Sequence, residues 1–138
     1  MNKKKLLLFA FAFIIAGAIG TWYYVFVYSK NHHRDVADET AIAATADNIV
    51  KEYQADETIA NKKYLDKAVE VTGEVAEVGK NQEGKITVSL KTSDAMTTVF
   101  CTMKDSTAIV EPNKNITLKG VCIGFLSDVR VRDAIIKK

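Results

Sequence analysis

The chain has 138 residues, 48% of them hydrophobic and 26% charged, with seven glycines, one proline, two cysteines and a formal net charge of +2. Those figures exclude collagen-like, mucin-like, disulfide-dense and strongly disordered chains, and the length accommodates at most one domain. The averages conceal two chemistries, because residues 6–28 hold no Asp, Glu, Lys, Arg or His while all 17 acidic residues lie at or beyond Asp35. Without Lys3, Lys4 and Lys5, the chain has 16 Lys and Arg against 17 Asp and Glu, so the remainder presents no basic excess to nucleic acid.

Residues 6–28 form an uncharged run of 23 residues, which as a helix spans roughly 35 Å and crosses a bilayer core. Lys3, Lys4 and Lys5 precede it, and Trp22, Tyr23, Tyr24 and Tyr28 gather at its far end as an interfacial belt. The three lysines outweigh Lys30 and Arg34 beyond the run, which keeps the N-terminus cytoplasmic and predicts a single membrane pass. A cleaved signal peptide is the competing reading, since Ala16-Gly17-Ala18 has the small-x-small form of a cleavage site. Cleavage after Ala18 leaves an apolar tail of Ile19, Trp22, Tyr23, Tyr24, Val25, Phe26 and Val27, and an uncleaved anchor is the preferred reading.

Residues 29–39 are polar and read as a juxtamembrane linker. Its His32-His33 pair lacks a third nitrogen or sulfur ligand nearby, so no metal is expected. Over residues 38–53, Ala43, Ala46, Ile49, Val50 and Tyr53 recur at spacings of three and four, predicting an amphipathic helix with Asp38 at its N-cap. Asp56-Glu57-Thr58 starts a second short helical turn carrying Ile59 and Ala60.

After Lys67 the period becomes two. A long strand over residues 68–78 places Val69, Val71, Gly73, Val75 and Glu77 on one face, and Gly73 permits a sharp bend between sheets. Residues 79–84 turn the chain into a strand over 85–91 with Ile86, Val88 and Leu90 inward, and a third strand over 97–103 sets Val99, Cys101 and Met103 inward. A short helix or turn intervenes before the fourth strand, residues 115–122. The fifth, residues 129–136, sets Val129, Val131 and Ile135 opposite Arg130, Arg132, Ala134 and Ile136. Three strands, an irregular crossover and two more strands follow the plan of a five-stranded OB barrel. An SH3-like barrel and a small open sandwich are the alternatives. The fold class is therefore mainly β: an N-terminal transmembrane helix over 1–28, a linker over 29–39, and an amphipathic helix plus OB-like barrel over 40–138.

This register turns Lys85, Thr87, Ser89 and Lys91 outward beside Thr98, Phe100 and Thr102, with Arg130 and Arg132 extending the surface from the neighbouring fifth strand. OB folds bind ligands on that face, and an exposed Phe100 ringed by hydroxyls and cations suits stacking on a sugar, a peptide or a partner's side chain. The alternative is a solvated sheet face, with Phe100 covered by the helix over 38–53. Cys101 and Cys122 share the inward face in an extracytoplasmic compartment that permits a disulfide, while the OB strand order separates their strands; a bridge and two buried thiols both remain open.

The run Ala60-Asn61-Lys62-Lys63-Tyr64-Leu65-Asp66-Lys67, continuing through Val69-Glu70-Val71-Thr72-Gly73-Glu74-Val75, resembles the opening of the barrel in the tRNA_anti-like OB-fold proteins. Val99-Phe100-Cys101 and the segment from Leu118-Lys119-Gly120-Val121-Cys122 to Val129 resemble the same family. The resemblance covers roughly residues 40–136 and implies the fold, together with a small bacterial exported or membrane-anchored protein; it implies no cofactor and no catalytic residue.

Three functions compete. An extracytoplasmic binding or interaction module, held at the membrane by residues 6–28, fits best; its partner is an envelope protein or oligosaccharide. A nucleic-acid-binding OB protein is the alternative, but beyond Ala68 the only aromatics are Phe100 and Phe125, and the soluble part is slightly acidic. An enzyme is not expected, because HExxH, GxSxG, P-loop and CxxC motifs are all missing.

Overall fold

The computed structural model describes residues 2–28 and 35–138, so most of the expected linker, with His32 and His33, lies outside the described residues. The chain divides into two compact units, Met1–Asp35 and Val36–Lys138. In the first, helix α1 (Lys3–Tyr23) runs on into a π-helical turn, Tyr24–Tyr28, giving a helix long and apolar enough to cross a membrane. It is apolar all round rather than striped. Trp22 stacks on Phe26 and Tyr24 on Tyr28, with ring centroids 5.8 and 5.3 Å apart.

The second unit begins with a 3₁₀ turn, Val36–Asp38, followed by β1 (Ile42–Thr45), α2 (Ala46–Ala55), α3 (Glu57–Tyr64), β2 (Ala68–Lys80), β3 (Ile86–Leu90), β4 (Val99–Met103), β5 (Asn115–Phe125) and β6 (Val129–Ile136). Strand β2 makes closure possible. Its first half pairs antiparallel with β5 and its second half antiparallel with β3, so the strand passes from one side of the barrel to the other. Just before β2 changes partners, a Cβ on Gly73 would stand 3.0 Å from the Ala46 Cβ and 3.3 Å from the Leu90 Cβ; the missing side chain lets the start of α2 and β3 approach. β4 joins β6 in parallel and β5 antiparallel to β6 completes the ring β2-β3-β4-β6-β5, a five-stranded closed OB-like barrel.

Inside lie Val69, Val71, Val75, Val88, Leu90, Val99, Cys101, Leu118, Cys122, Val129 and Val131, together with Ile49, Val50 and Tyr53 from α2. Tyr53 also stacks on Phe125 with centroids 5.7 Å apart. Two caps fix the helices: the Thr45 hydroxyl accepts from the Asn48 N–H at 3.2 Å, and Asp56 Oδ1 accepts from the Ile59 N–H at 3.0 Å.

The expected helix over 38–53 starts later than its periodicity suggests. Ile42–Thr45 is instead a short strand pairing in parallel with Val69–Thr72, which leaves Ala43 exposed and makes Thr45, not Asp38, the N-cap. Four added backbone pairs outweigh the weak helical preference of a run containing Ile and Thr. Val36 is buried against Ala68 and Val121, so the folded unit begins at Val36 rather than at residue 40.

Bulges alter the faces of the strands. Between Val75 and Glu77 the register against β3 shifts by one residue, so Val78 packs on the core and Glu77 faces out, the reverse of simple alternation. In β6 a second shift beside Asp133, which has φ of 51°, turns Ala134 inward in place of Ile135. The crossover between β4 and β5 contains turns and no helix.

Candidate functional site

Alternation in three strands creates the candidate face. Val88 and Leu90, Val99 and Cys101, and Val129 and Val131 are buried, so the residues between them turn outward. The pairing aligns two rows across the strands. Glu77, Ser89, Phe100 and Arg130 form one, and Thr87 with Thr102 forms the other. Phe100 is half-buried, and the Arg130 guanidinium lies 5.5 Å from its ring centroid, a cation–π contact of about 0.5–1 kcal/mol at an exposed site. Helix α2 does not cover Phe100; its apolar side chains enter the core cluster, to which Phe100 does not belong.

The remaining expected residues divide by how they are held. Thr98 donates both its N–H and its hydroxyl to Asp128 Oδ1, at 2.7 and 2.9 Å, tying the β5–β6 turn to the start of β4. Lys91 is drawn away from the face, its ammonium bonding Glu74 Oε1 at 2.6 Å and Asn113 Oδ1 at 3.0 Å. Lys85 keeps only a loose approach of 3.6 Å to exposed Glu83. Arg132 is exposed on the next outward position of β6, 3.9 Å from Asp133. Thr87 is only 8% exposed and is therefore a floor residue rather than a contact.

Glu77 is the residue that alternation misses; the break of phase across Ala76-Glu77-Val78 was its only sequence signal. The rim is preorganised at both ends of the strands. In the β2–β3 loop Asn81 Oδ1 accepts from the Glu83 and Lys85 N–H groups at 3.0 and 2.9 Å, and the β5–β6 turn is clamped at the other end by Asp128. The result is a firm, shallow surface with one aromatic, hydroxyls and mixed charge.

The cysteines lie in the barrel core, Cys101 on β4 and Cys122 on β5. Both are buried free thiols, and burial, with the Cys122 thiol nearby, pushes the Cys101 thiol up to about 12. Cys122 Sγ and the Tyr53 hydroxyl share a contact of 3.4 Å, and burial raises Tyr53 above the ordinary phenol value. Among the described residues no three His, Cys, Asp or Glu side chains gather in a way that could hold a metal ion.

No curated protein matches the sequence. Among solved structures, a "putative nucleic acid-binding lipoprotein" from Klebsiella pneumoniae is similar at a TM-score of 0.55 and 14% identity, covering 70% of this chain and 92% of its own. At that identity the likeness shows a shared fold. The tRNA_anti-like family model matches residues 1–135, and with the closed OB-like barrel in place the chain belongs to the tRNA_anti-like family.

Proposed function

We propose that the protein is a membrane-anchored, extracytoplasmic binding module whose ligand face is the outer surface of β3, β4 and β6. The observation that carries this reading is Phe100 held between Ser89 and the Arg130 guanidinium on a strand face, with a clamped loop at each end. An aromatic whose ring is already oriented loses little freedom when it stacks, so it suits a sugar ring or a partner's side chain. The partner is an envelope protein or oligosaccharide, the role is binding rather than catalysis, and the apolar helix over residues 3–28 supplies the anchor, with Lys3, Lys4 and Lys5 on the cytoplasmic side.

The test is capture from envelope extract and binding to a panel of envelope oligosaccharides by the parent chain, Phe100→Ala and Arg130→Ala. Both substitutions should reduce binding without lowering the melting temperature; unchanged binding, or a melting temperature that falls with Phe100→Ala, makes this face structural.

A second reading has the same face take single-stranded nucleic acid. Arg130 against Phe100 with Arg132 nearby supports it, as does the printed description of the Klebsiella protein. It ranks second because the chain beyond its first five residues has 16 cations against 17 anions. Titration with labelled oligonucleotides at low and high salt distinguishes the two, since phosphate binding weakens steeply as salt rises.

A further inference from the structure

The outward row of Glu77, Ser89, Phe100 and Arg130 runs across β2, β3, β4 and β6 and carries opposite charges at its two ends. Both end residues are exposed, and among the described residues neither forms an ion pair. The other acids of β2 differ, because Glu70 meets Lys137 at 2.8 Å and Glu74 meets Lys91 at 2.6 Å. Arg130 rests its guanidinium on the Phe100 ring and, among the described residues, donates to no oxygen of the protein. The hydroxyls of half-buried Ser89 and Thr102 likewise make no hydrogen bond there. In the adjoining row Gly79 stands opposite Thr87, where a Cβ would come within 3.2 Å of the Thr87 Oγ1, so the surface stays low beside Glu77.

A ligand laid along this row covers both charges, and covering a charge without giving it a partner is costly. A neutral oligosaccharide pairs neither end, and a nucleic acid satisfies Arg130 while bringing its phosphates against Glu77. A chain with a cation at one end and an anion at the other satisfies both. From Glu77 to Arg130 is three strand spacings, about 14 Å along the sheet. An extended peptide advances about 3.3 Å per residue and turns every second side chain to the same side, so residues four apart span about 13 Å and share one face with the residue midway between them. That middle side chain falls between Ser89 and Phe100, within reach of the ring, and the peptide groups find donors and acceptors in the Ser89 and Thr102 hydroxyls.

From these observations we propose that the face takes an extended peptide segment of a partner protein, one with a basic and an acidic residue four positions apart and an apolar or aromatic residue midway. The cation lies at Glu77, the carboxylate at Arg130 and the middle side chain on Phe100. This rests on the reading of the face as the ligand surface and selects a protein partner over an oligosaccharide. Charge at the two ends sets which segments are accepted and in which direction they lie, while the aromatic contact supplies attraction common to many sequences.

The experiment titrates the full chain, in an uncharged detergent, with the end-capped peptide Lys-Thr-Phe-Thr-Glu and follows the amide chemical shifts of Ser89, Phe100 and Arg130. All three should move. Glu77→Gln should weaken binding about two- to fivefold, the worth of one exposed ion pair, and melt at the parent temperature. Glu77→Lys should weaken it further and prefer Glu-Thr-Phe-Thr-Glu, which the parent binds less well. A merely structural Glu77 does not produce that exchange of preference. Equal binding of the two peptides by the parent, or a Glu77→Lys chain that keeps the parent's preference, overturns the proposal. If envelope oligosaccharides or an oligonucleotide move the same three amides and the peptide does not, the face is a ligand surface and the peptide inference is wrong. If none of these probes moves them and Phe100→Ala leaves envelope capture unchanged, the ligand-face reading falls and the inference with it.

Discussion

Cys101 on β4 and Cys122 on β5 are each paired with Val131, one from either side of β6. Neighbouring strands lie about 4.8 Å apart, so two strands with a third between them hold their Cα atoms near 9.6 Å. A disulfide needs about 7 Å or less. The two cysteines therefore act as small buried apolar residues although they face the same interior. Unfolding in an alkylating denaturant without reductant should add two alkyl groups to the mass, and native protein should take up none; an unfolded chain that gains nothing contains a bridge.

Gly120 is the glycine of the chain at which an added Cβ would have the least room. A Cβ there would lie 2.5 Å from Val131 Cγ1 and 2.7 Å from the Arg132 carbonyl oxygen, beside the β6 bulge. A carbonyl in a paired strand cannot swing aside as a side-chain terminus can. Gly120→Ala should lower stability by about 1–3 kcal/mol, the usual cost of overpacking, read from the midpoint of a urea titration. An unchanged midpoint would show that β5 and β6 separate easily here.

Tyr53 joins α2 to the barrel through its ring and its hydroxyl. It is 2% exposed, stacks on Phe125, and contacts Cys122 Sγ at 3.4 Å. Tyr53→Ala should cost about 3–5 kcal/mol, by analogy with other large aromatic truncations in cores. Tyr53→Phe removes only the polar contact and should cost about 0.5–1.5 kcal/mol. Equal losses from both variants would place the energy in the hydroxyl rather than in packing.

Two carboxylates fasten the β3–β4 turn to α2. Asp94 accepts from the Met96 N–H at 2.9 Å, from Gln54 Nε2 at 2.8 Å and from the Thr97 hydroxyl at 3.0 Å, and Asp47 accepts from the Ser93 N–H. The Met96 bond first, then those of Gln54 and Thr97, hold Asp94 below the ordinary carboxylate value, and the Ser93 bond does the same for Asp47. Depressed folded-state values mean that the unfolded chain protonates first, near pH 3.9 for Asp. Their stabilisation is thus present above about pH 4 and fades as pH falls through the lower folded-state values. Thermal melts from pH 7 to pH 3 should show Asp94→Asn below the parent at neutral pH, with the gap closing in acid. A gap independent of pH would make the contribution geometric rather than ionic.

Membrane orientation can be read independently of the barrel. Alkaline phosphatase fused after Lys138 should be active, as an extracytoplasmic C-terminus requires, and a cytoplasmic reporter at that position should be silent. The opposite pattern reverses the topology. N-terminal sequencing that begins at Ile19 would establish cleavage after Ala18.

Local patterns in this chain were sufficient for everything that depends on neighbours along it. The uncharged run over residues 6–28, the stripe of Ala46, Ile49, Val50 and Tyr53, and the alternation of Ile86, Val88 and Leu90 each express a helical or strand pattern in side-chain polarity, and the strand plan follows from their order. Long-range pairing decided the rest. Ile42–Thr45 is a strand because β2 offers it a partner some 27 residues away, which overrides a local helical spacing. Glu77 faces out and Ala134 faces in because the bulges absorb a mismatch between curved neighbouring strands, and one extra residue reverses every later side chain. On the candidate face, alternation was enough to turn Ser89, Phe100 and Arg130 outward. Only the tertiary register brought Arg130 over Phe100, gave Thr98 to Asp128, and drew Lys91 away to Glu74 and Asn113, because which groups meet across strands depends on partners that no local period encodes.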